Sequence, residues 1–142
     1  MDDKQLEFEK EILEELKNLT VSWGFSEPQI TRKNYSTVFD YFATRFAIEI
    51  EIDWREYGVF ILIVKLEAGK LPNGYYVSKG GMCREHLRSV LQQCHVPLVP
   101  VGKTSYTRER WRNFAWMRGV FLKEKELLIQ HLDAIKKLYQ EG

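Results

Sequence analysis

The stretch 47-AIEIEIDWREYGVFILIVKL-66 decides the fold. It holds two runs of different character around a polar middle. The first alternates Ile48, Ile50 and Ile52 with Glu49, Glu51 and Asp53, and the second is apolar almost throughout. A period of two sends successive side chains to opposite faces of a strand. The middle, Trp54 to Tyr57, supplies a turn. If that turn centres on Arg55 and Glu56, Ile48, Ile50 and Ile52 fall opposite Ile63, Ile61 and Val59, and one face of the ribbon is core. The other face carries Glu49, Glu51 and Asp53 beside Phe60, Leu62 and Val64. Apolar on both faces, the second strand is expected to be central. The carboxylate face is expected to be solvated.

Outward from the ribbon, the same period runs back through "RFAIEIEID" to "STVFDYF", with a joint around Ala43 and Thr44. Before these strands the period is helical: Phe8, Ile12, Leu16 and Leu19 mark one face of a helix from about Asp3 to Thr20. Asp2 and Asp3 sit where a helix N-terminus favours negative charge, and Gly24 and Pro28 end the segment. After the ribbon, Gly69, Pro72, Asn73 and Gly74 mark a turn-rich connection. A short strand "YYV" follows, and Gly80 and Gly81 introduce an expected helix from about Met82 to Cys94. "HVPLVPVGK" reads as extended. The remainder reads as one long helix, or two with a break near Gly119, whose stripe is Phe121, Leu128, Leu132, Ile135 and Tyr139. Antiparallel strands between helices predict an α+β domain over 1–142, with a sheet of four to five strands flanked by an N-terminal helix and two to three C-terminal helices.

Composition narrows the function. Of 142 residues, 44% are hydrophobic, 29% charged and 13% aromatic, which suits a globular domain rather than a disordered chain. A net charge of +1 gives no global attraction to nucleic acid or membrane. No apolar run reaches the roughly 18 residues of a spanning helix, and the acidic start is unlike a signal peptide. The expected location is cytoplasmic. Cys83 and Cys94, placed on one helix, would lie about 16 Å apart along its axis, beyond disulfide reach. The charge is nonetheless divided, with seven acids against three bases in residues 1–20 and eight bases against two acids in residues 79–118.

Four constellations bear on chemistry. Gly102, Lys103 and Thr104 resemble the end of a phosphate loop, but Pro97 stands where its first glycine belongs and Pro100 removes an N–H. The carboxylates of 49, 51 and 53 share a strand face and suit either solvent or a basic partner. As metal ligands they fail a comparison with nuclease strands, since Asp53 and Lys65 fit but Ile63 stands where the acid two residues before the lysine is needed. Gly80, Gly81, Arg84 and Arg88 form a candidate anion site if the glycines lead into a helix and the arginines share its face. On that helix Cys83 is either core or a thiol with His86 as base. Finally, segment 103–118 interleaves Arg108, Arg110, Arg112 and Arg118 with Trp111 and Trp116. That pattern fits nucleic-acid binding, a protein-partner surface, or a helix whose Trp111, Phe114 and Met117 pack on the sheet while the arginines meet the acidic first helix or Glu49 and Glu51.

The stretch from "FAIEIEIDWREYGVF" to "KLPNGYYV" resembles small bacterial proteins of the immunity type found in polymorphic toxin systems. It shares an acid-alternating strand ending in Asp-Trp-Arg, an apolar strand, a Leu-Pro turn and paired tyrosines. The resemblance implies a cytoplasmic, non-enzymatic inhibitor that binds another protein, with no cofactor and no metal. Its partner surface would be Glu49, Glu51, Asp53 and Glu56, with Trp54, Tyr75 and Tyr76 as aromatic anchors. The alternative is a nucleic-acid-binding or -processing protein using segment 103–118.

Overall fold

The computed structural model describes residues 1–78, 81–98 and 113–140. The chain begins with α1 (Asp3–Glu15) and α2 (Lys17–Val21). The Asp2 side chain accepts from the Gln5 N–H at 2.9 Å, and Gln5 Oε1 accepts from the Asp2 N–H. This reciprocal cap fixes the start of α1. The helix expected to run unbroken to Thr20 is interrupted at Leu16, yet its stripe is intact: Phe8, Ile12, Leu16 and Leu19 are all buried.

Strands β1 (Gln29–Arg32), β2 (Ser36–Phe42), β3 (Phe46–Asp53) and β4 (Gly58–Lys65) form an antiparallel meander. Ile48 pairs with Ile63, Ile50 with Ile61 and Ile52 with Val59. This is the register set by the turn at 54–57, where Asp53 Oδ1 accepts from the N–H groups of Arg55 and Glu56 at 3.0 and 3.1 Å. Phe39 and Tyr41 of β2 join the isoleucines on the same face, opposite Ile50 and Ile48. The helices cover that face.

The expected helix from Met82 does not begin there. Met82 ends a two-stranded ribbon of β5 (Val77–Ser78) and β6 (Gly81–Met82). Residues Arg84–His86 then form β7, which pairs antiparallel with β4 and completes the sheet order β1-β2-β3-β4-β7. Only at Leu87 does the chain turn helical, as α3 (Leu87–Gln93). Helical spacing in "MCREHLRSVLQQC" was legible, but the apolar strand β4 has an open ladder beside it. Pairing with that ladder satisfies the backbone of 84–86 as fully as a helix would.

Two further helices follow, α4 (Phe114–Gln130) and α5 (Leu132–Leu138). The break falls at His131 rather than near Gly119, which lies exposed inside α4. Phe121, Leu128, Leu132 and Ile135 enter the core, and the Tyr139 ring stacks on Phe46 with centroids 5.1 Å apart. The main core therefore lies between the isoleucine face and the helices. Both cysteines are free thiols; Cys83 lies at the β6–β7 junction rather than on a helix.

Candidate functional site

The second face of the sheet is where the structure departs from the sequence reading. Glu49 was expected in water. It is 2% exposed, and so is Asp40, its direct cross-strand neighbour on β2. Two carboxyls opposite each other on one face repel if both are ionised. The arrangement is balanced from β7: Arg84 donates from Nε to Glu49 Oε1 at 2.8 Å and from Nη2 to Oε2 at 3.1 Å. Burial lowers the guanidinium pKa, but the hydrogen bonds and charge of Glu49 outweigh it, and the net shift is upward.

Asp40 is handled by a proton. Burial first, then the hydrogen bond and charge of Glu49, push its carboxyl up to about 9 against the opposing pull of Arg84. Among the described residues its Oδ1 has no hydrogen-bond donor. An ionised carboxylate in that position would be a buried charge without compensation. At neutral pH Asp40 is therefore an acid hydrogen-bonded to Glu49.

The connection after β4 lies over this face. It is anchored by a small apolar cluster of Ala47, Val64 and Leu66, against which Phe42 and Leu71 pack. The Tyr75 hydroxyl donates to Glu51 Oε2, and its main-chain oxygen accepts from Arg84 Nη1. The Arg84 guanidinium also stands 4.3 Å above the Tyr75 ring. Burial and the hydrogen bond to Glu51 raise the Tyr75 pKa, so the phenol stays neutral and donates. Between the strands and Tyr75 lies a cleft of about 370 Å³ bordered by Asp40, Glu49, Glu51, Arg84 and Lys33. That size is in the range of small-ligand pockets, roughly 300–1,000 Å³.

The expected surface residues divide accordingly. Glu51 borders the cleft, Tyr75 and Tyr76 are about half exposed and meet edge to face at 4.5 Å, and Glu56 is exposed on the turn. Glu49 is taken by Arg84, and Asp53 is occupied in capping its turn. Trp54 is core: its indole N–H donates to Thr37 Oγ1 at 3.0 Å, Thr37 donates to Glu9 Oε2 at 2.7 Å, and Arg32 pairs with Glu9. An indole held there is not available as an anchor for a partner.

The geometry behind the anion site is not formed. Arg84 is on a strand and engaged by Glu49, while Arg88 is on α3 and pairs with Glu124 at 3.0 Å. The two do not share a helix face. Gly81 adopts φ 98° in the β5–β6 ribbon, and Gly80 lies outside the described residues. Cys83 is buried, with Sγ 3.3 Å from the Tyr75 carbonyl oxygen, an arrangement suited to packing. Of segment 103–118, residues 103–112 lie outside the described residues, and so do Gly102 and Pro100. Phe114 and Met117 pack into the core, and Arg118 pairs with Glu11 of the acidic first helix at 2.7 and 2.8 Å.

Asp40 was missed, although a signal for it existed. Once the β2–β3 joint sets Phe42 opposite Ala47, Asp40 must fall opposite Glu49, and a facing pair of acids calls for a proton or a cation. Among the described residues no group of three His, Cys, Asp or Glu side chains could hold a metal, and no helix is long and apolar enough to cross a membrane. No family model matches this chain, and neither a curated protein nor a solved structure is significantly similar to it.

Proposed function

We propose that this is a non-enzymatic binding protein that docks a basic protein partner on the surface around Tyr75, Tyr76 and Glu51, in the manner of a toxin inhibitor of the immunity type. One observation carries the reading. Beside the acidic cleft, Tyr75, Tyr76, Val77 and Met82 expose 46, 47, 64 and 62% of their surface, with the 40% exposed Phe60 also on the second face. Paired tyrosines supply large contact area with little rotamer entropy to lose, and a neighbouring carboxylate steers a basic surface towards them. Glu56 extends the negative charge. Glu49, Asp53 and Trp54 have structural tasks and do not belong to this surface.

The test uses a toxin-like product encoded beside this gene as the partner. Coexpression of the protein should rescue cells from that product. Glu51→Lys combined with Tyr76→Ala should abolish rescue while leaving the thermal unfolding midpoint close to wild type. Full rescue by the double variant would remove this surface from consideration.

A further inference from the structure

The second-face cleft is built around a charge balance that leaves room for one more cation. Three carboxyls converge on it from two strands: Asp40 of β2, and Glu49 and Glu51 of β3. Facing Asp40 are Glu49 and Glu51 from β3 and Arg84 from β7, while Tyr75 of the covering connection and Lys33 of the β1–β2 turn complete the border. With Asp40 protonated, the two glutamates are matched by Arg84 and Lys33. Asp40 Oδ1, buried in the cleft wall, has no donor among the described residues. An organic cation bearing N–H groups supplies both what Oδ1 lacks and a charge that an ionised Asp40 would match.

We propose that the cleft binds one ammonium or guanidinium group between Asp40 and Glu51. The cation donates N–H bonds to Asp40 and Glu51, and the proton of Asp40 leaves for solvent, so the charge of the cleft is unchanged. The proposal rests on the binding reading above only in naming the cation's source, a Lys or Arg side chain of the basic partner. Guanidinium matches a carboxylate in the planar, two-bond geometry that Arg84 already shows with Glu49.

The experiment titrates argininamide into the whole protein by calorimetry in buffers of different ionisation enthalpy. Release of close to one proton per argininamide is expected, with affinity rising about tenfold per pH unit below the point where Asp40 ionises by itself. Tetramethylammonium, which has no N–H, should bind at least tenfold more weakly. Asp40→Asn, which has no charge to offer the cation, should weaken argininamide binding and abolish proton release, and Glu51→Gln should weaken binding about tenfold. Binding without proton release in the wild-type protein, equal binding of tetramethylammonium, or no binding of argininamide would each overturn the proposal. Tyr76→Ala separates the two readings, because Tyr76 does not line the cleft. Argininamide binding that persists while partner rescue ignores Tyr76 removes the docking surface alone. Rescue that depends on Tyr76 while argininamide fails to bind removes the cleft alone.

Discussion

Glu49 and Arg84 hold each other in a buried, two-bond ion pair, with side chains 3 and 8% exposed. Removing one member leaves the other charged and dry. Arg84→Met is therefore expected to cost about 3–5 kcal/mol, measured by urea unfolding. Arg84→Met with Glu49→Gln should recover a major part of that loss, since Gln still accepts from Asp40. Asp40 carries a separate prediction. Its folded pKa lies far above the value of 3.8 for an unperturbed carboxyl. Between these values the unfolded chain has lost the proton and the fold keeps it, so the contribution of Asp40 to stability is full below about pH 4, declines as pH rises, and is gone near 9. One proton corresponds to a slope of about 1.4 kcal/mol per pH unit. Asp40→Asn should remove that slope from the stability profile between pH 5 and 8, and a variant profile parallel to wild type would contradict the buried proton. None of this was legible in "AIEIEID" alone. Alternation shows that Glu49 points away from the isoleucines, but it does not distinguish water from a covering loop.

At the level of elements, the sequence read best where one face of a long strand had a single choice. The isoleucine register of β3 and β4 follows from the turn at 54–57 with no tertiary information. Residues 82–86 read worst, because a short polar segment with helical neighbours satisfies its backbone equally in a helix or beside an open ladder. The turn after β4 offers a test at this scale. Glu67 and Lys70 exchange backbone bonds of 2.8 and 3.0 Å around Ala68 and Gly69, whose φ values are 51° and 79°. A two-residue turn with both central φ angles positive favours Gly or Asn, and Ala68 has a Cβ that this conformation crowds. Ala68→Gly is expected to raise stability by roughly 0.5–1 kcal/mol, seen as a higher urea midpoint with an unchanged slope.

For the whole molecule, the opposed charges of the two ends suggested electrostatic closure, and Arg118–Glu11 and Lys125–Glu15 do join α1 to α4. Their magnitudes decide otherwise. Pairs this exposed contribute about 0–1 kcal/mol each, whereas truncating a fully buried Ile costs about 2–5 kcal/mol. Ile12→Ala should therefore destabilise several times more than Glu11→Ala, and added salt should move the wild-type unfolding midpoint little. The α+β architecture was legible because burial follows hydrophobic period. The site was not, because it forms where β2, β3, β7 and the connection over them meet, and no single segment announces that meeting.

The outermost strands carry a consequence for life at high concentration. β3 and β4, each eight residues long, are flanked on both sides, and the sheet ends in β1 of four residues and β7 of three. The apolar run "VFILIV" of β4 thus lies between β3 and β7, which pairs along Leu62–Val64, and the strands at the sheet's two ends are short and charged, offering an incoming chain little to zip onto. Loosening β7 would bare the outer ladder of Leu62–Val64 and turn a protected apolar strand into an edge that another chain can pair with.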